Sequence, residues 1–252
     1  MEYRRLGSTG MYVSEISYGN WITHGSQVET ESAIKCVREA LNQGITTFDT
    51  ADVYANTKAE VVLAKALKGV RRESYELFTK VYWPTGPGKN DRGLSRKHIM
   101  HSIDASLKRM KIDYFDLYQA HRFDVETPLE ETMLAFADIV RQGKALYIGI
   151  SSYSGVKTRE IAALLKEWKV PLLIHQPAYN LLNRWVEKDL LDVTEDLGSG
   201  VIAFTPLAQG LLTDKYLNGV PADARVNRPG GGSLLPSHLS EANLAHVRAL
   251  NE

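Results

Sequence analysis

The chain has 252 residues, of which 44% are hydrophobic and 24% are charged. These values are ordinary for a soluble globular protein with one large α/β domain or two small ones. Thirty basic residues balance thirty acidic residues, so no overall field favours nucleic acid or an anionic membrane as a partner.

The first predicted element is a β-hairpin. Residues 3–6 and 11–14 have the pattern of two short strands, joined by a turn at 7–10. The N-terminus carries no apolar signal core, and no apolar run in the chain approaches membrane-spanning length. We therefore expect a cytoplasmic protein without membrane insertion.

A strand–helix unit recurs after the hairpin. Short apolar or β-branched runs predict strands at 16–18, 46–48, 77–79, 115–120, 146–150, 172–175 and 201–204. Amphipathic segments predict helices at 29–43, 59–67, 96–110, 129–142, 156–168, 188–197 and 241–250. This alternation indicates βα units and a parallel sheet. No linker divides the chain, so we expect a single domain over 1–252. Gly44, Gly143 and Gly198 follow three of the helices and predict left-handed C-caps.

The single cysteine, Cys36, lies on the first predicted helix among Ile34, Val37 and Leu41. We expect it to be a buried structural thiol. Because one cysteine cannot form a disulfide within the chain, a reducing compartment is consistent with the sequence.

Parallel βα units close either as an eight-stranded barrel or as an open, doubly wound sheet. The open sheet usually carries a GxGxxG loop after its first strand, whereas here residues 19–25, GNWITHG, follow that strand. Polar residues follow nearly every predicted strand, and they are Asn20, Asp49, Lys80, His121, Ser151, Gln176 and Thr205. This distribution favours a (β/α)8 TIM barrel, whose active site lies at the C-terminal face of its strands. An eighth strand and helix are missing before residue 252, so either the barrel is shortened at its C-terminus, which we favour, or it closes in an unusual way.

Four side chains near the strand ends, Asp49, Tyr54, Lys80 and His121, form a set suited to proton transfer. Tyrosine has an ordinary pKa of about 10 and is a poor acid–base catalyst at neutral pH unless that pKa falls. A neighbouring ammonium lowers it, and a carboxylate keeps the ammonium charged and oriented. Taken singly, each residue is more often a helix cap, a surface charge or a satisfied core group. Their shared position at strand ends indicates catalysis.

Five motifs occur in order along the chain and resemble those of the aldo-keto reductase family. They are 48–54 (FDTADVY), 119–124 (QAHRFD), 149–153 (GISSY), 176–180 (QPAYN) and 204–212 (FTPLAQGLL). Within the family the likeness is greatest to voltage-gated potassium channel β-subunits and their bacterial relatives. The segments that carry this likeness are 19–25 (GNWITHG), 58–63 (KAEVVL) and 92–99 (RGLSRKHI).

The resemblance implies NADPH-dependent reduction of aldehydes or ketones to alcohols. Tyr54 would be the general acid, Lys80 and Asp49 its tuning pair, and His121 the substrate-orienting group. The nicotinamide would be held by Ser151, Ser152, Gln176 and the stacking ring of Phe204. The rest of the cofactor trough would be lined by Asn20, Trp21, Thr205, Leu207, Gln209 and Gly210, with Lys215 reaching the pyrophosphate.

The sequence departs from the family pattern in three places. Ala55, Asn56 and Thr57 follow the first of the five motifs, where a glycine-containing turn is common in the family. Ser152 stands where most members have asparagine, which puts the strength of cofactor binding in doubt. Family members also continue past position 252 with a loop that binds the adenosine 2′-phosphate, so NADPH over NADH follows from the resemblance alone. No metal is expected, because the histidines show no metal-ligand spacing.

Two alternatives to a catalytic carbonyl reductase remain open. One is a cofactor-binding regulatory subunit like a channel β-subunit, and the other is a catalytically impaired fragment. His121 favours catalysis, because the resemblance includes channel β-subunits with asparagine at that position. The expected partners are a small carbonyl substrate and, by the resemblance, further copies of the chain in a tetramer or octamer.

Overall fold

The computed structural model describes residues 1–227 and 236–251 of the chain. The chain divides into two compact units. The sheet unit consists of Met1–Gln176 with Asp189–Ile202, and the second unit consists of Pro177–Lys188 with Ala203–Glu252. That the whole chain forms one domain stays a prediction.

An antiparallel hairpin begins the sheet unit. Strand β1 is Tyr3–Arg5 and strand β2 is Tyr12–Ser14. The turn between them approaches the end of a later helix very closely. Gly7 has a φ of +60°, and a Cβ atom on it would lie 2.5 Å from the carbonyl oxygen of Gly198. Only glycine fits this approach, and the predicted hairpin is confirmed.

Seven parallel strands form the main sheet among the described residues, each paired with its neighbour in chain order. They are β3 (Tyr18–Gly19), β4 (Thr47–Asp49), β5 (Glu76–Val81), β6 (Phe115–Ala120), β7 (Ala145–Ser151), β8 (Leu172–Gln176) and β9 (Gly200–Val201). A helix follows each strand from β3 to β8. These helices are α1 (Thr30–Asn42), α2 (Lys58–Leu67), α3 (Arg96–Met110), α4 (Leu129–Arg141), α5 (Gly155–Glu167) and α6 (Leu190–Leu197). This is the repeating unit of a (β/α)8 barrel, and the expected fold class is confirmed.

Local sequence signals explain where several helices begin and end. Helices α3 and α5 begin after Ser95 and Ser154, whose hydroxyls each accept a hydrogen bond from a backbone N–H of the first turn. The glycines predicted as C-caps, Gly44, Gly143 and Gly198, all have positive φ. No helix within residues 1–227 and 236–251 is long and apolar enough to cross a membrane.

Apolar side chains pack on both faces of the sheet, as in other parallel sheets covered by helices. Leu77 and Phe78 are neighbours on β5 and point to opposite faces. Leu77 belongs to the large core that includes helix residues, and Phe78 packs in a smaller core with Leu6 and Val13 from the hairpin region. This packing on both faces fixes the strands, and with them the residues at their C-terminal ends.

The second unit contains one α-helix among its described residues, α7 (Glu241–Leu250), at the bounds that the sequence predicts. Its 3₁₀ segments are Trp185–Lys188, Ala208–Gly210, Asp214–Tyr216, Arg225–Asn227 and Pro236–Leu239. A small apolar core forms around Leu211, Tyr216 and Ala224.

The expectation of a buried Cys36 is wrong, because this side chain is exposed. The buried residues of α1 are Ala33, Val37 and Ala40, which recur at helical spacing on one face. Cys36 comes directly before one of them and therefore projects from a different side of the helix.

Most strand boundaries differ from the sequence prediction by one or two residues, and two of the differences bear on the site. Strand β5 extends to Val81, so Lys80 lies within the strand and not beyond it. The last predicted strand, 201–204, is shortened to Gly200–Val201. Phe204 instead forms an isolated bridge with Ala178 inside the second unit.

Candidate active site

The four residues predicted for proton transfer come together at one edge of the sheet. Asp49 ends β4, Lys80 lies near the end of β5, and His121 directly follows β6. Tyr54 lies in the loop between β4 and α2. Parallel strands end at the same edge of a sheet, so these side chains meet although they are far apart in the chain.

The ammonium group of Lys80 is buried at the centre of this set. Nζ donates to Asp49 Oδ1, to the carbonyl oxygen of Thr50 at 2.8 Å and to the phenolic oxygen of Tyr54 at 3.4 Å. Burial is the largest single effect and acts to lower the pKa of Lys80, but Asp49 and Tyr54 together outweigh it, and the pKa is raised above its ordinary value. The lysine therefore stays charged at neutral pH, and each of its three N–H donors has an acceptor.

The phenol of Tyr54 keeps its proton at neutral pH. Burial raises its pKa above the ordinary value of 10.0, and the Asp49 carboxylate acts in the same direction. The Lys80 ammonium lowers the pKa of Tyr54, as the sequence led us to expect, but by less than burial raises it. The expectation of a net decrease is therefore wrong. A protonated phenol is the state that a proton donor requires.

His121 lies beside the phenol as a neutral imidazole. Its ring centroid is 5.8 Å from that of Tyr54, with the rings edge to face. Burial, together with the smaller effects of the Lys80 and Arg122 charges, lowers the pKa of His121 to about 2. Among the described residues its Nδ1 atom has no hydrogen-bond partner. The ring of Trp83, whose centroid is 6.4 Å away, borders the imidazole on another side.

Two amide side chains hold the second carboxylate oxygen of Asp49. Gln176 donates to Oδ2 through Nε2 at 3.0 Å, and Gln119 donates to the same atom at 3.4 Å. Sequence reasoning missed Gln119, which is fully buried on β6. The available signal was a polar glutamine near the end of an apolar predicted strand, and the structure pairs it with Lys80 on β5.

Sequence reasoning also assigned no role to Arg122, which follows His121. Its Nη1 donates to the carbonyl oxygen of His121 at 2.5 Å and to Ser151 Oγ at 3.2 Å. The hydroxyl of Tyr153 donates to the carbonyl oxygen of Arg122 at 3.0 Å. A second cation besides Lys80 is therefore held at this edge of the sheet.

Asn20 and Trp21 follow β3, and the first of them contacts the proton-transfer set. Asn20 is fully buried, and its backbone N–H donates to the carbonyl oxygen of Asp49 at 3.3 Å. Its Nδ2 donates to the carbonyl oxygen of Ala59 at 3.4 Å. Trp21 is 41% exposed, so a large part of its ring faces solvent.

Ser151 and Ser152, at the end of β7, differ in what their hydroxyls contact. Ser151 Oγ donates to the carbonyl oxygen of Gln176 at 2.8 Å and accepts from Arg122. The Ser152 backbone is left-handed, with a φ of +61°, and its N–H donates to the same Gln176 carbonyl at 3.2 Å. The left-handed region favours asparagine and glycine over serine, which gives a physical reason for the family's usual asparagine.

The remaining residues predicted to contact the cofactor belong to the second unit. Phe204 pairs with the backbone of Ala178, and the Thr205 carbonyl accepts from Asn180 Nδ2 at 3.0 Å. Thr205 and Gln209 both have left-handed φ. The other three residues are Leu207, Gly210 and Lys215. Leu207 and Lys215 are exposed, and the ammonium of Lys215 lies over the ring of Tyr216 at 5.7 Å. Their contact with a cofactor stays a prediction.

Comparisons with known proteins show the family of the chain. The model of the Aldo/keto reductase family matches residues 15–252. The chain is 47% identical to L-glyceraldehyde 3-phosphate reductase of Escherichia coli (strain K12), over 100% of this chain and 75% of that protein. It is 38% identical to a probable voltage-gated potassium channel subunit beta of Oryza sativa subsp. japonica, over 99% of this chain and 77% of that protein. A probable subunit beta of Arabidopsis thaliana is 40% identical over 89% of this chain and 70% of its own length. The chain therefore belongs to the aldo/keto reductase family, as its motifs predicted.

Proposed function

We propose that this protein is an NADPH-dependent oxidoreductase that reduces aldehydes or ketones to alcohols, with Tyr54 as the general acid. The observation that carries the proposal is the position of Lys80 Nζ, which donates to Asp49, to the Thr50 carbonyl and to the Tyr54 phenol. A charged lysine in contact with a protonated phenol, beside the neutral imidazole of His121, is suited to protonating a carbonyl oxygen.

NADPH is the cofactor that the family implies, and the side chains of the sheet unit fit its nicotinamide end. A carboxamide offers two N–H donors and one carbonyl acceptor. Gln176 Oε1 and the Ser152 hydroxyl make no hydrogen bond with a described residue, so an acceptor and a donor remain for such a group. The Ser151 hydroxyl already donates to the Gln176 carbonyl, so we assign it a supporting role. When bound, NADPH supplies the hydride.

The side chains of the chain then handle the carbonyl oxygen and the proton. Tyr54 O–H and an N–H of His121 donate hydrogen bonds to the carbonyl oxygen and polarise it. As negative charge develops on that oxygen, the proton moves to it from the Tyr54 hydroxyl. Lys80 stabilises the phenolate that remains, and Asp49 keeps Lys80 charged and in place.

The substrate class that we propose is small aldehydes, including phosphorylated ones. The support is the 47% identity to a protein named for the reduction of L-glyceraldehyde 3-phosphate. A second candidate is a cofactor-binding regulatory subunit, which the 38% identity to a probable potassium channel subunit beta favours. A cytoplasmic location and assembly into a tetramer or octamer remain predictions for either function.

A turnover assay with two aldehydes tests the proposal. Purified protein would be mixed with NADPH and either 4-nitrobenzaldehyde or L-glyceraldehyde 3-phosphate, and nicotinamide absorbance would be followed. Tyr54→Phe is the inactive variant, and Tyr12→Phe, on the exposed hairpin, is the matched control. Turnover no faster than that of Tyr54→Phe would exclude the reductase. Quenching of tryptophan fluorescence by NADPH, without turnover, would instead support the regulatory subunit.

A further inference from the structure

Arg122 is a cation fixed in place at the candidate active site. Its Nη1 lies 2.5 Å from the carbonyl oxygen of His121 and 3.2 Å from Ser151 Oγ. Its own carbonyl oxygen accepts from the hydroxyl of the buried Tyr153 at 3.0 Å. Both the backbone and the guanidinium are therefore held, although the side chain is only half-buried and can be reached from solvent.

The charge of Arg122 acts on the groups that would carry the reaction. It contributes to the lowered pKa of His121 and opposes the raised pKa of Tyr54. Burial lowers the pKa of Arg122 itself, so its charge is incompletely solvated and an anion beside it would be favourable. An arginine remains protonated at any physiological pH.

Lys80, the other cation of the site, is in no position to bind a substrate anion. Its side chain is 1% exposed, and its three N–H donors are used on Asp49, the Thr50 carbonyl and Tyr54. A carboxylate or phosphate on a substrate would therefore meet the guanidinium of Arg122, whose planar fork matches the oxygens of both groups.

We propose that Arg122 determines substrate specificity by binding an anionic substituent of the aldehyde, so that the site favours small phosphorylated or carboxylated aldehydes over neutral ones. The inference rests on the proposed reductase function and names the substrate class of that same site. Ser151 and Tyr153 act as positioning residues, because their hydrogen bonds hold the guanidinium and the backbone of Arg122.

An anionic group could also come from the cofactor, whose phosphates have the same chemistry. The two sources are separated by measuring cofactor affinity and substrate discrimination in the same variants. The variants are Arg122→Gln, which removes the charge, and Arg122→Lys, which keeps it without the fork. Arg159→Gln is the matched control, since Arg159 is an exposed arginine that pairs with Asp196 away from the site.

The kinetic test compares L-glyceraldehyde 3-phosphate with L-glyceraldehyde, which lacks only the phosphate. We expect Arg122→Gln to raise KM for the phosphorylated aldehyde about 10- to 100-fold, the range for losing a hydrogen bond to a charged group. For the neutral aldehyde, kcat/KM should fall by a smaller factor, because the effect of the Arg122 charge on Tyr54 and His121 is lost with both aldehydes but the contact with the anion is lost only with the phosphorylated one. The KM of Arg122→Lys for the phosphorylated aldehyde should lie between those of the wild-type protein and Arg122→Gln. Equal losses on both aldehydes, or unchanged discrimination, would overturn the proposal.

Two binding measurements complete the test. The Kd for NADPH, from fluorescence quenching, should be the same in Arg122→Gln and in the wild-type protein. Weaker NADPH binding with unchanged discrimination would assign Arg122 to the cofactor and overturn the proposal. Glycerol 3-phosphate should raise the Tm of the wild-type protein and of Arg159→Gln, but not that of Arg122→Gln. Glycerol, which lacks the phosphate, should leave the Tm of all three proteins unchanged. This readout needs no turnover, so it separates failure of Arg122 as an anion site from failure of the reductase function.

Discussion

The side-chain amide of Gln176 donates to the carboxylate of Asp49 at 3.0 Å, although 127 positions separate the two residues in the chain. The bond joins the C-terminal ends of β4 and β8. Gln119 donates to the same oxygen from β6, so three strands together fix the carboxylate that orients Lys80.

These two glutamines should differ when each is replaced by leucine. Among the described residues the Gln119 side chain hydrogen-bonds to the Asp49 carboxylate alone, so we expect Gln119→Leu to lower kcat about tenfold, as for a lost bond to a charged group, with NADPH affinity unchanged. Gln176 would also hold the carboxamide, so Gln176→Leu should lower kcat and weaken NADPH binding together. Steady-state kinetics and fluorescence titration measure the two effects. Parallel behaviour of both variants would contradict the separate roles.

The Tyr54 phenol predicts both a loss on mutation and a pH profile. We expect Tyr54→Phe to lower kcat about 10²- to 10⁴-fold, the usual contribution of a general acid, while NADPH still binds. Because the pKa of Tyr54 is raised above 10.0, the acid form persists through neutral pH and kcat for reduction should stay level until alkaline pH. His121, with a pKa lowered to about 2, should add no step on the acid side. A kcat profile falling on either side of neutral pH would count against these assignments.

Asp52 should make the stability of the fold depend on pH. Its carboxylate is fully buried and accepts from Ser102 Oγ at 2.6 Å. Burial raises its pKa from 3.8 to about 7, so the folded state holds a proton that the unfolded state releases. The contribution of Asp52 to stability is therefore complete below about pH 4 and is lost as pH rises toward 7 and beyond.

Asp52→Asn removes this dependence, because asparagine has no proton to lose and keeps an acceptor for Ser102. The free energy of unfolding of Asp52→Asn, relative to that of the wild type, should therefore increase between pH 4 and pH 8. The increase should be on the order of 2 to 4 kcal/mol. Urea unfolding at both pH values measures the difference. The control is Asp192→Asn, at an exposed position of α6. An equal gain in both variants would show that the effect does not come from Asp52.

Ser152 should be a position where the family's asparagine stabilises the chain. Its φ of +61° is left-handed, a conformation in which asparagine is favoured and β-branched residues are strained. We expect Ser152→Asn to raise the free energy of unfolding by about 0.5 kcal/mol and Ser152→Val to lower it by about 1–2 kcal/mol. Thermal unfolding of the two variants tests the order, and a more stable valine variant would contradict it.

The exposed thiol of Cys36 should react in the folded protein. A thiol-specific reagent such as DTNB should titrate one group without denaturant, since the chain has one cysteine and its side chain is exposed. Cys36→Ser should change the free energy of unfolding by less than about 0.5 kcal/mol, as is usual at exposed positions. Reaction only after unfolding would show that the thiol is protected.

Much of the fold could be predicted because its signals are local. Helix α3 occurs at its predicted bounds, since its apolar periodicity and the Ser95 cap lie within one stretch of chain. Asp49 and Lys80 were found because the ends of parallel strands share one edge. Gln119 was missed because its hydrogen bond to Asp49 depends on a contact between distant strands. The direction in which the pKa of Tyr54 shifts could not be predicted either, because the burial that raises this pKa depends on the packing of the whole sheet unit.

The contact of the hairpin turn with the end of α6 bears on the order of folding. The backbone N–H of Ser8 donates to the carbonyl oxygen of Gly198 at 2.8 Å, and Leu6 packs with residues of β5, β6 and β8. Contacts of such long sequence separation form slowly, because the entropy of closing a long loop opposes them. During synthesis the residues of the hairpin therefore wait until about two hundred more have been added before these contacts can form.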